Sequence, residues 1–417
     1  MKTSSEDFVP FHYPLLGAEE EEAVLRVLRS GWLTTGKEAL AFEAEFAAFL
    51  GGDGSTGLRA ASVNSATSGL HLALEACGVG PGDVVLTSPY TFTSTAEVAR
   101  YLGADVAFVD TLPDGFNMDP AALERTLERL SRGFPAYPDR GSGDPLSPSG
   151  FGPRGRPAAV MPVHFGGLPC DMDAILAAAR ERGAKVIEDA AHAFPARCGD
   201  AWAGTIGDVG VFSFYATKTI TTGEGGMVVT SDPGIAARLS IMRSHGIDRS
   251  VWNRYTDHKA SWRYAVVEAG YKYNLPDVLA AIGREQLKRA ESMRDARLAL
   301  ARRYDEAFAS DDRFLLPPTG PGDARHLYPL RLRQAADGTR DAVIEALQEA
   351  GVGVSVHFIP LHTMPYYAGR YGVAPADFPN ALRQFDAEIS LPLWPGMTDA
   401  QQSRVIRALD TAVGKER

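Results

Sequence analysis

Lys218 stands alone between two apolar runs, Val209–Ser213 and Gly226–Thr230, with the hinge Gly223-Glu-Gly-Gly226 directly behind it. Desolvation in such a setting disfavours the ammonium, lowers the lysine pKa and frees the amine to hold a carbonyl as a Schiff base. Three other places carry chemistry that would complement it. In Val63-Asn-Ser-Ala-Thr-Ser-Gly69 small hydroxyl residues lead into an apolar helix, so unpaired N–H groups and the helix dipole would converge on an anion such as a phosphate. Asp189 ends the strand-like Lys185–Glu188 run, where a carboxylate can keep a pyridine nitrogen protonated, and His192 follows three residues later. Phe92, in Ser88-Pro-Tyr-Thr-Phe-Thr-Ser-Thr95, offers a ring face for stacking. Each residue also has a plain structural reading: an N-cap by Ser65 or Thr67, a turn cap by Asp189, core packing by Phe92 and His192. Together they supply a phosphate anchor, a ring wall, a pyridinium partner and a lysine, which are what pyridoxal phosphate asks of a protein.

Such groups meet only if a sheet delivers them, and the pattern predicts one. Between about residues 60 and 245, β-rich runs alternate with amphipathic helices: Val84–Thr87, Thr95–Leu102, Val106–Val109, Pro120–Leu130, Ala158–Met161, Met172–Arg182 and Lys185–Glu188. This alternation predicts an α/β fold with a mostly parallel sheet, and Val209–Ser213 joined by a loop to Gly226–Thr230 predicts an antiparallel neighbour within it. Helices are expected at Glu19–Ser30, Lys37–Leu50, Pro276–Ala309, Asp341–Glu349 and from Asp399, with strands at Leu327–Leu332 and Val352–Phe358. The division expected is an N-terminal segment 1–37, a large cofactor-binding domain 38–285 and a small α+β domain 286–417. Residues 131–157, rich in Gly, Pro, Ser and Arg, read as an exposed and mobile insert, because they have too little apolar surface to order their own backbone.

Composition narrows the class. A formal net charge of −10 argues against nucleic acid as a partner, and 45% hydrophobic residues suit a large globular core. Cys77, Cys170 and Cys198 are widely spaced and predict neither a metal site nor a disulfide framework, but small core residues. No hydrophobic leader or bilayer-length apolar run is visible, so a cytoplasmic enzyme without membrane contact is expected.

The chain resembles the sugar aminotransferases of the DegT/StrS family over nearly its whole length. The resemblance rests on Ser30-Gly-Trp-Leu-Thr-Thr-Gly36, Glu188-Asp-Ala-Ala-His-Ala193, Gly207-Asp-Val-Gly-Val-Phe-Ser-Phe214, Lys218 with Gly223-Glu-Gly-Gly226, Gly270-Tyr-Lys-Tyr-Asn-Leu275, Val356-His-Phe-Ile-Pro-Leu-His362 and Ser390-Leu-Pro-Leu-Trp-Pro395. It implies a fold-type-I homodimer with active sites at the subunit interface. It further implies that Lys218 binds pyridoxal phosphate covalently, Asp189 pairs with its ring nitrogen, Phe92 stacks and His192 lies against the ring. Ala66, Thr67 and Ser213 would hold the phosphate, Asn274 would reach the neighbouring subunit's phosphate, and Trp32, Leu33, Thr34 and His357 would border the substrate. The expected reaction moves an amino group from L-glutamate, through pyridoxamine phosphate, to a nucleotide-linked keto sugar. The Gly-Tyr-Lys-Tyr-Asn-Leu and His-Phe segments are most similar to the branch that makes UDP-4-amino-4-deoxy-arabinose, which implies C4 of a UDP-sugar; C3, dTDP-sugar and cyclitol amination stay open. Sugar dehydratases of this fold carry His at the lysine position, so Lys218 disfavours them, and a non-catalytic regulator is disfavoured by the full set of cofactor residues. The stretch 249–267, with Trp252, Arg254, Tyr255, Lys259, Trp262, Arg263 and Tyr264, suits either a nucleotide diphosphate or a dimer contact.

Overall fold

The computed structural model describes residues 8–51, 57–248, 264–333 and 338–414; of the aromatic and basic stretch named above, residues 249–263 lie outside these. Two helices, α1 (Ala18–Ser30) and α2 (Lys37–Gly51), precede a seven-stranded sheet. In chain order the next elements are β1 (Arg59–Val63), α3 (Ala66–Ala76), β2 (Asp83–Thr87), α4 (Ser94–Tyr101), β3 (Asp105–Phe108) and α5 (Pro120–Ser131). The insert pair β4 (Tyr137–Pro138) and β5 (Gly150–Phe151) follows, then β6 (Arg156–Met161), α6 (Met172–Glu181) and β7 (Lys185–Asp189). A short hairpin, β8 (Arg197–Cys198) and β9 (Ala201–Trp202), leads to β10 (Val209–Ser213), β11 (Gly226–Thr230) and α7 (Pro233–Met242). The large sheet runs β1-β11-β10-β7-β6-β2-β3. Its pairs are parallel from β10 to β3, and only β11 runs antiparallel to both neighbours. Central strands such as Val84-Val-Leu86 and Val209–Ser213 are buried on both faces, which is why they read as unbroken apolar runs rather than alternating ones.

A separate three-stranded antiparallel sheet, β12 (Phe314–Leu315), β13 (Tyr328–Leu332) and β14 (Glu388–Leu391), packs its own core of Tyr304, Tyr328, Leu330, Leu347, Ile389 and Leu409 against flanking helices. The fold is therefore α/β, a mostly parallel mixed sheet beside a smaller α+β unit. Among the described residues no helix is long and apolar enough to cross a membrane, and no His/Cys/Asp/Glu cluster could hold a metal. All three cysteines are free; Cys170 is buried, and Cys77 and Cys198 are half-buried and pack against the edge of the large-sheet core.

Three expectations need correction. The helix read over Pro276–Ala309 is two, Asp277–Lys288 and Ala290–Phe308: Arg289 leaves helical geometry (φ −109°) and its guanidinium pairs with the buried Glu20 of α1. The strand read at Val352–Phe358 forms only isolated bridges, because it divides its backbone between Val9 on one side and Ser390 on the other. The insert is not a free loop. Arg129, at the end of α5, points its guanidinium into it and donates to the carbonyls of Pro135, Tyr137, Pro145, Ser147 and Ser149 at 2.8–3.1 Å. Tyr137 is buried and its hydroxyl accepts the Phe108 N–H at 2.6 Å, while Arg140 forks onto Asp377. A single buried cation thus satisfies carbonyls that the insert's apolar content leaves without partners.

Candidate active site

Strand alternation makes the first selection. Glu188 and Asp189 end β7 side by side, so their side chains leave on opposite faces of the sheet. Glu188 is fully buried and saturated: its oxygens accept the N–H groups of Gly204, Ile206 and Gly207 at 2.6–2.7 Å and face His164 Nε2 at 2.9 Å. His164 Nδ1 accepts the Cys170 N–H, so Nε2 carries the ring proton and donates to Glu188. Asp189 instead lines a cavity of about 560 Å³. Its carboxylate accepts from Thr95 Oγ1 at 2.7 Å and from the Ala191 N–H at 3.1 Å, and Thr95 is linked in turn to Thr91 at 2.8 Å.

Lys218 enters the same cavity from the loop between β10 and β11. Hydrogen bonds that shape that loop include Lys218 N–H to Tyr215 O, Thr222 N–H and Thr221 Oγ1 to Phe214 O, and Phe214 N–H to Gly225 O. Burial lowers the Lys218 pKa to about 7, Asp189 opposes the shift and the nearby Arg297 guanidinium adds to it. Asp189 is pushed up by burial, against the pull of Thr95, Ala191 and Lys218. The amine is therefore available as a free base near neutrality, with a carboxylate in the same cavity.

The anion-binding end comes from β1 and α3. Ser65 caps α3 by accepting the Ser68 N–H at 3.1 Å, and among the described residues the Ala66 and Thr67 N–H groups donate to nothing. Gly226 allows this helix start to sit against the sheet: a Cβ there would lie 2.9 Å from Ala66 N and 2.8 Å from Phe212 O. Ser213, at the end of β10, lines the cavity beside it. Two free donors at a helix N-terminus, serine and threonine hydroxyls, and a lysine and an aspartate in one cavity fit pyridoxal phosphate.

The rest of the wall is aromatic and imidazole. Phe92 is 58% exposed at the cavity, not packed in the core, with its ring 6.1 Å from Phe358. His192 accepts the Gly166 N–H on Nδ1 and stacks on Phe358 at 5.8 Å. Burial holds His192 and His326 well below the usual histidine range, and lowers His12 and His357 to about 3. The cavity is thus lined by neutral rings at physiological pH. Of the residues expected at the site, Ala66, Thr67, Phe92, Asp189, His192, Ser213, Lys218 and His357 meet here. Asn274, Trp32, Leu33 and Thr34 do not line this cavity. Three of them are tied to Thr35 and Asp277 instead: Asn274 donates to Thr35 Oγ1, Trp32 Nε1 to Thr35 O, and Asp277 N to Thr34 O, while Leu33 is exposed. No residue of the insert lines the cavity.

Sequence reading missed Phe11, His12, Ser355, His326, Phe358 and Leu393, which come from the N-terminal segment and the small unit. No local periodicity marks them. Phe358 and Leu393 lie inside segments noted for their resemblance, which is the one signal that could have pointed to them.

The model of the DegT/DnrJ/EryC1/StrS aminotransferase family matches residues 14–410. The chain is 43% identical over 407 residues to the spore coat polysaccharide biosynthesis protein SpsC of Bacillus subtilis, covering 96% of each. Among solved structures it is similar to Spr1654 of Streptococcus pneumoniae, described as a sugar aminotransferase, in its pyridoxal-phosphate form (TM-score 0.84, 28% identity, 98% of this chain and 99% of that one). It is also similar to PseC of Helicobacter pylori, an aminotransferase of pseudoaminic acid biosynthesis (TM-score 0.83, 26% identity, 98% of this chain and 100% of that one).

Proposed function

We propose a specific reaction from one premise: the chain belongs to the DegT/DnrJ/EryC1/StrS aminotransferase family and is a pyridoxal-phosphate-dependent sugar aminotransferase. The proposed acceptor is a nucleotide-linked keto sugar, aminated at C4 of a UDP-sugar, with L-glutamate as the donor and a homodimer as the working form. The observation that carries it is Lys218, a low-pKa amine in one cavity with Asp189 and the open start of α3.

In this reading Lys218 holds the cofactor, Ala66, Thr67, Ser213 and the α3 dipole hold its phosphate, Asp189 its ring nitrogen, and Phe92 and His192 its faces. When bound, pyridoxal phosphate supplies an electron-poor ring that accepts the electron pair left when a proton departs from the carbon bearing nitrogen. Lys218 Nζ takes and returns that proton as base and then acid. Asp189, held by Thr95 and the Ala191 N–H, keeps a negative charge fixed at the strand end. The neutral imidazoles accept or donate hydrogen bonds to sugar hydroxyls without adding charge.

The position of Asn274, Trp32, Leu33 and Thr34 away from their own chain's cavity supports a homodimer in which each subunit lends them to the other. A cavity of about 560 Å³ suits one cofactor and a sugar, so the nucleotide would extend outward to these lent residues. The motif Gly270-Tyr-Lys-Tyr-Asn-Leu275 supports the UDP-sugar assignment. The test is to bleach the yellow enzyme with L-glutamate and then offer keto sugars one at a time, reading the product by mass spectrometry. Amination of a UDP-4-keto sugar is expected. Conversion of a dTDP-sugar, a C3 ketone or a cyclitol instead would overturn the substrate; colour that no amino donor bleaches would leave only binding.

A further inference from the structure

His357, in the cavity wall, is wired to a buried carboxylate on the small sheet. Glu388 and Ser390 lie two apart on β14 and so share a face of that strand. Both are fully buried. Ser390 Oγ contacts Glu388 Oε1 in a short hydrogen bond and His357 Nδ1 at 2.9 Å, while Glu388 Oε2 accepts the His357 backbone N–H at 3.0 Å. His357 Nε2 makes no hydrogen bond among the described residues. The chain imidazole, hydroxyl, carboxylate therefore begins at the cavity and ends buried on the face of β14 opposite to Ile389 and Leu391, beside Arg331.

We infer that Glu388, Ser390 and His357 form a proton relay in which the protonation of Glu388 sets the tautomer that His357 shows the cavity. With Glu388 ionised, Ser390 donates to Oε1 and must accept from His357, so the ring proton sits on Nδ1 and Nε2 is a bare acceptor. With Glu388 protonated on Oε1, both bonds through Ser390 reverse while the His357 backbone N–H still donates to Oε2: Glu388 donates to Ser390, Ser390 donates to Nδ1, and Nε2 carries the hydrogen. Moving between the two states balances without charging the ring. A donor in the cavity gives its proton to Nε2, the Nδ1 proton passes to Ser390 Oγ, and the proton of that hydroxyl passes to Oε1.

The imidazole can therefore take up a proton although burial keeps it from becoming imidazolium until about pH 3. An amino donor reaches the site as an ammonium and must lose one proton before its nitrogen can act as a nucleophile, and the relay is a place to hold and return it. Glu388 and Ser390 are positioning residues; His357 is the one that meets the substrate. Burial raises Glu388 to about 8, against the hydrogen bonds from Ser390 and the His357 N–H and the charges of Arg340 and Arg331. Arg331 on β13, Arg340 on the helix Thr339–Glu349 and the buried Tyr90 are the ionisable groups that face Glu388; Lys218 and His192 face His357. The relay does not depend on which sugar is used.

The test reads the ring, not turnover. With nitrogen-15-labelled histidine, the His357 signal, assigned by its loss in His357→Gln, reports which ring nitrogen carries hydrogen. The ratio of Nδ1–H to Nε2–H should rise about tenfold per pH unit around a midpoint near 8, with no imidazolium between. In Glu388→Gln the amide oxygen must face the His357 backbone N–H, so its NH₂ faces Ser390 and mimics the protonated acid. His357 should then stay neutral and Nε2–H at every pH above about 3. Should that variant not fold, Ser390→Ala serves, since it cuts the chain and should leave the tautomer indifferent to pH. A wild-type tautomer that does not move through this range, or one that still switches in a folded Glu388→Gln or Ser390→Ala protein, overturns the relay.

Discussion

Arg129 beneath the insert and Arg297 beside the cavity are both essentially inaccessible to solvent. Arg129 donates to five carbonyls of the insert. Arg297 donates to two, those of His326 and Leu393, and its Nε and Nη2 have no partner among the described residues. The same contrast separates the neighbours Glu188, saturated by three backbone N–H groups and an imidazole, and Asp189, with two partners and an open side to the cavity. A buried charge whose bonds are complete is a fastener, because nothing remains for a ligand to satisfy. A buried charge left incomplete keeps a field in the site. Here that field helps lower Lys218 and His12, and it favours an incoming anion.

The largest break in this contrast should come from Lys218→Ala. Turnover should fall by roughly 10⁴-fold or more, the upper end of what one acid–base group supplies, and the visible absorbance of the cofactor's covalent link to the lysine should disappear; retention of both sinks its assignment. Next, Asp189→Asn should cost about 10²–10³-fold in turnover, as loss of one preorganised electrostatic group does, with little change in melting temperature. Glu188→Gln should behave the opposite way, losing about 2 kcal/mol of stability through a damaged charged hydrogen-bond set while cofactor binding persists. If the two variants gave the same pattern, the division between complete and incomplete charges would fail.

Arg129→Met should cost about 3 kcal/mol by orphaning the insert's carbonyls and should open residues 139–147 to protease, with turnover unchanged because the insert does not line the cavity. Protease resistance equal to wild type would show that Arg140 and Asp377 hold the insert unaided. The smallest effect concerns pH. Lys218 is an ammonium below about 7 and a free amine above it, so the rate at which apo-enzyme takes up pyridoxal phosphate should rise about tenfold per unit up to that pH and then level. A rise that continues to the ordinary lysine range would mean that burial does not control this amine.

The large sheet was legible because its strands and helices follow local periodicity, and the ends of Val209–Ser213 and Gly226–Thr230 coincide with the observed strands. Elements that depend on partners were not. The broken helix at Arg289 is set by Glu20, far away in sequence, and the split bridging of Val352–Phe358 by two different neighbours. The insert is exposed over 139–145, as its composition suggests, and its own residues do order poorly; what they do not reveal is Arg129, a hydrogen-bonding group that comes from α5 before the insert.

By itself the amino-acid sequence determined the α/β class, the strand ends that carry Asp189 and Ser213, the loop between two strands that carries Lys218, and the open helix start at Ala66, because these follow from backbone periodicity and capping over a few residues. The tertiary structure alone decided which carboxylate faces the cavity with its bonds incomplete, which arginine is saturated, and that Glu388 reaches His357 through Ser390. Burial and hydrogen-bond completion depend on atoms brought together from opposite ends of the chain, and no local pattern encodes them.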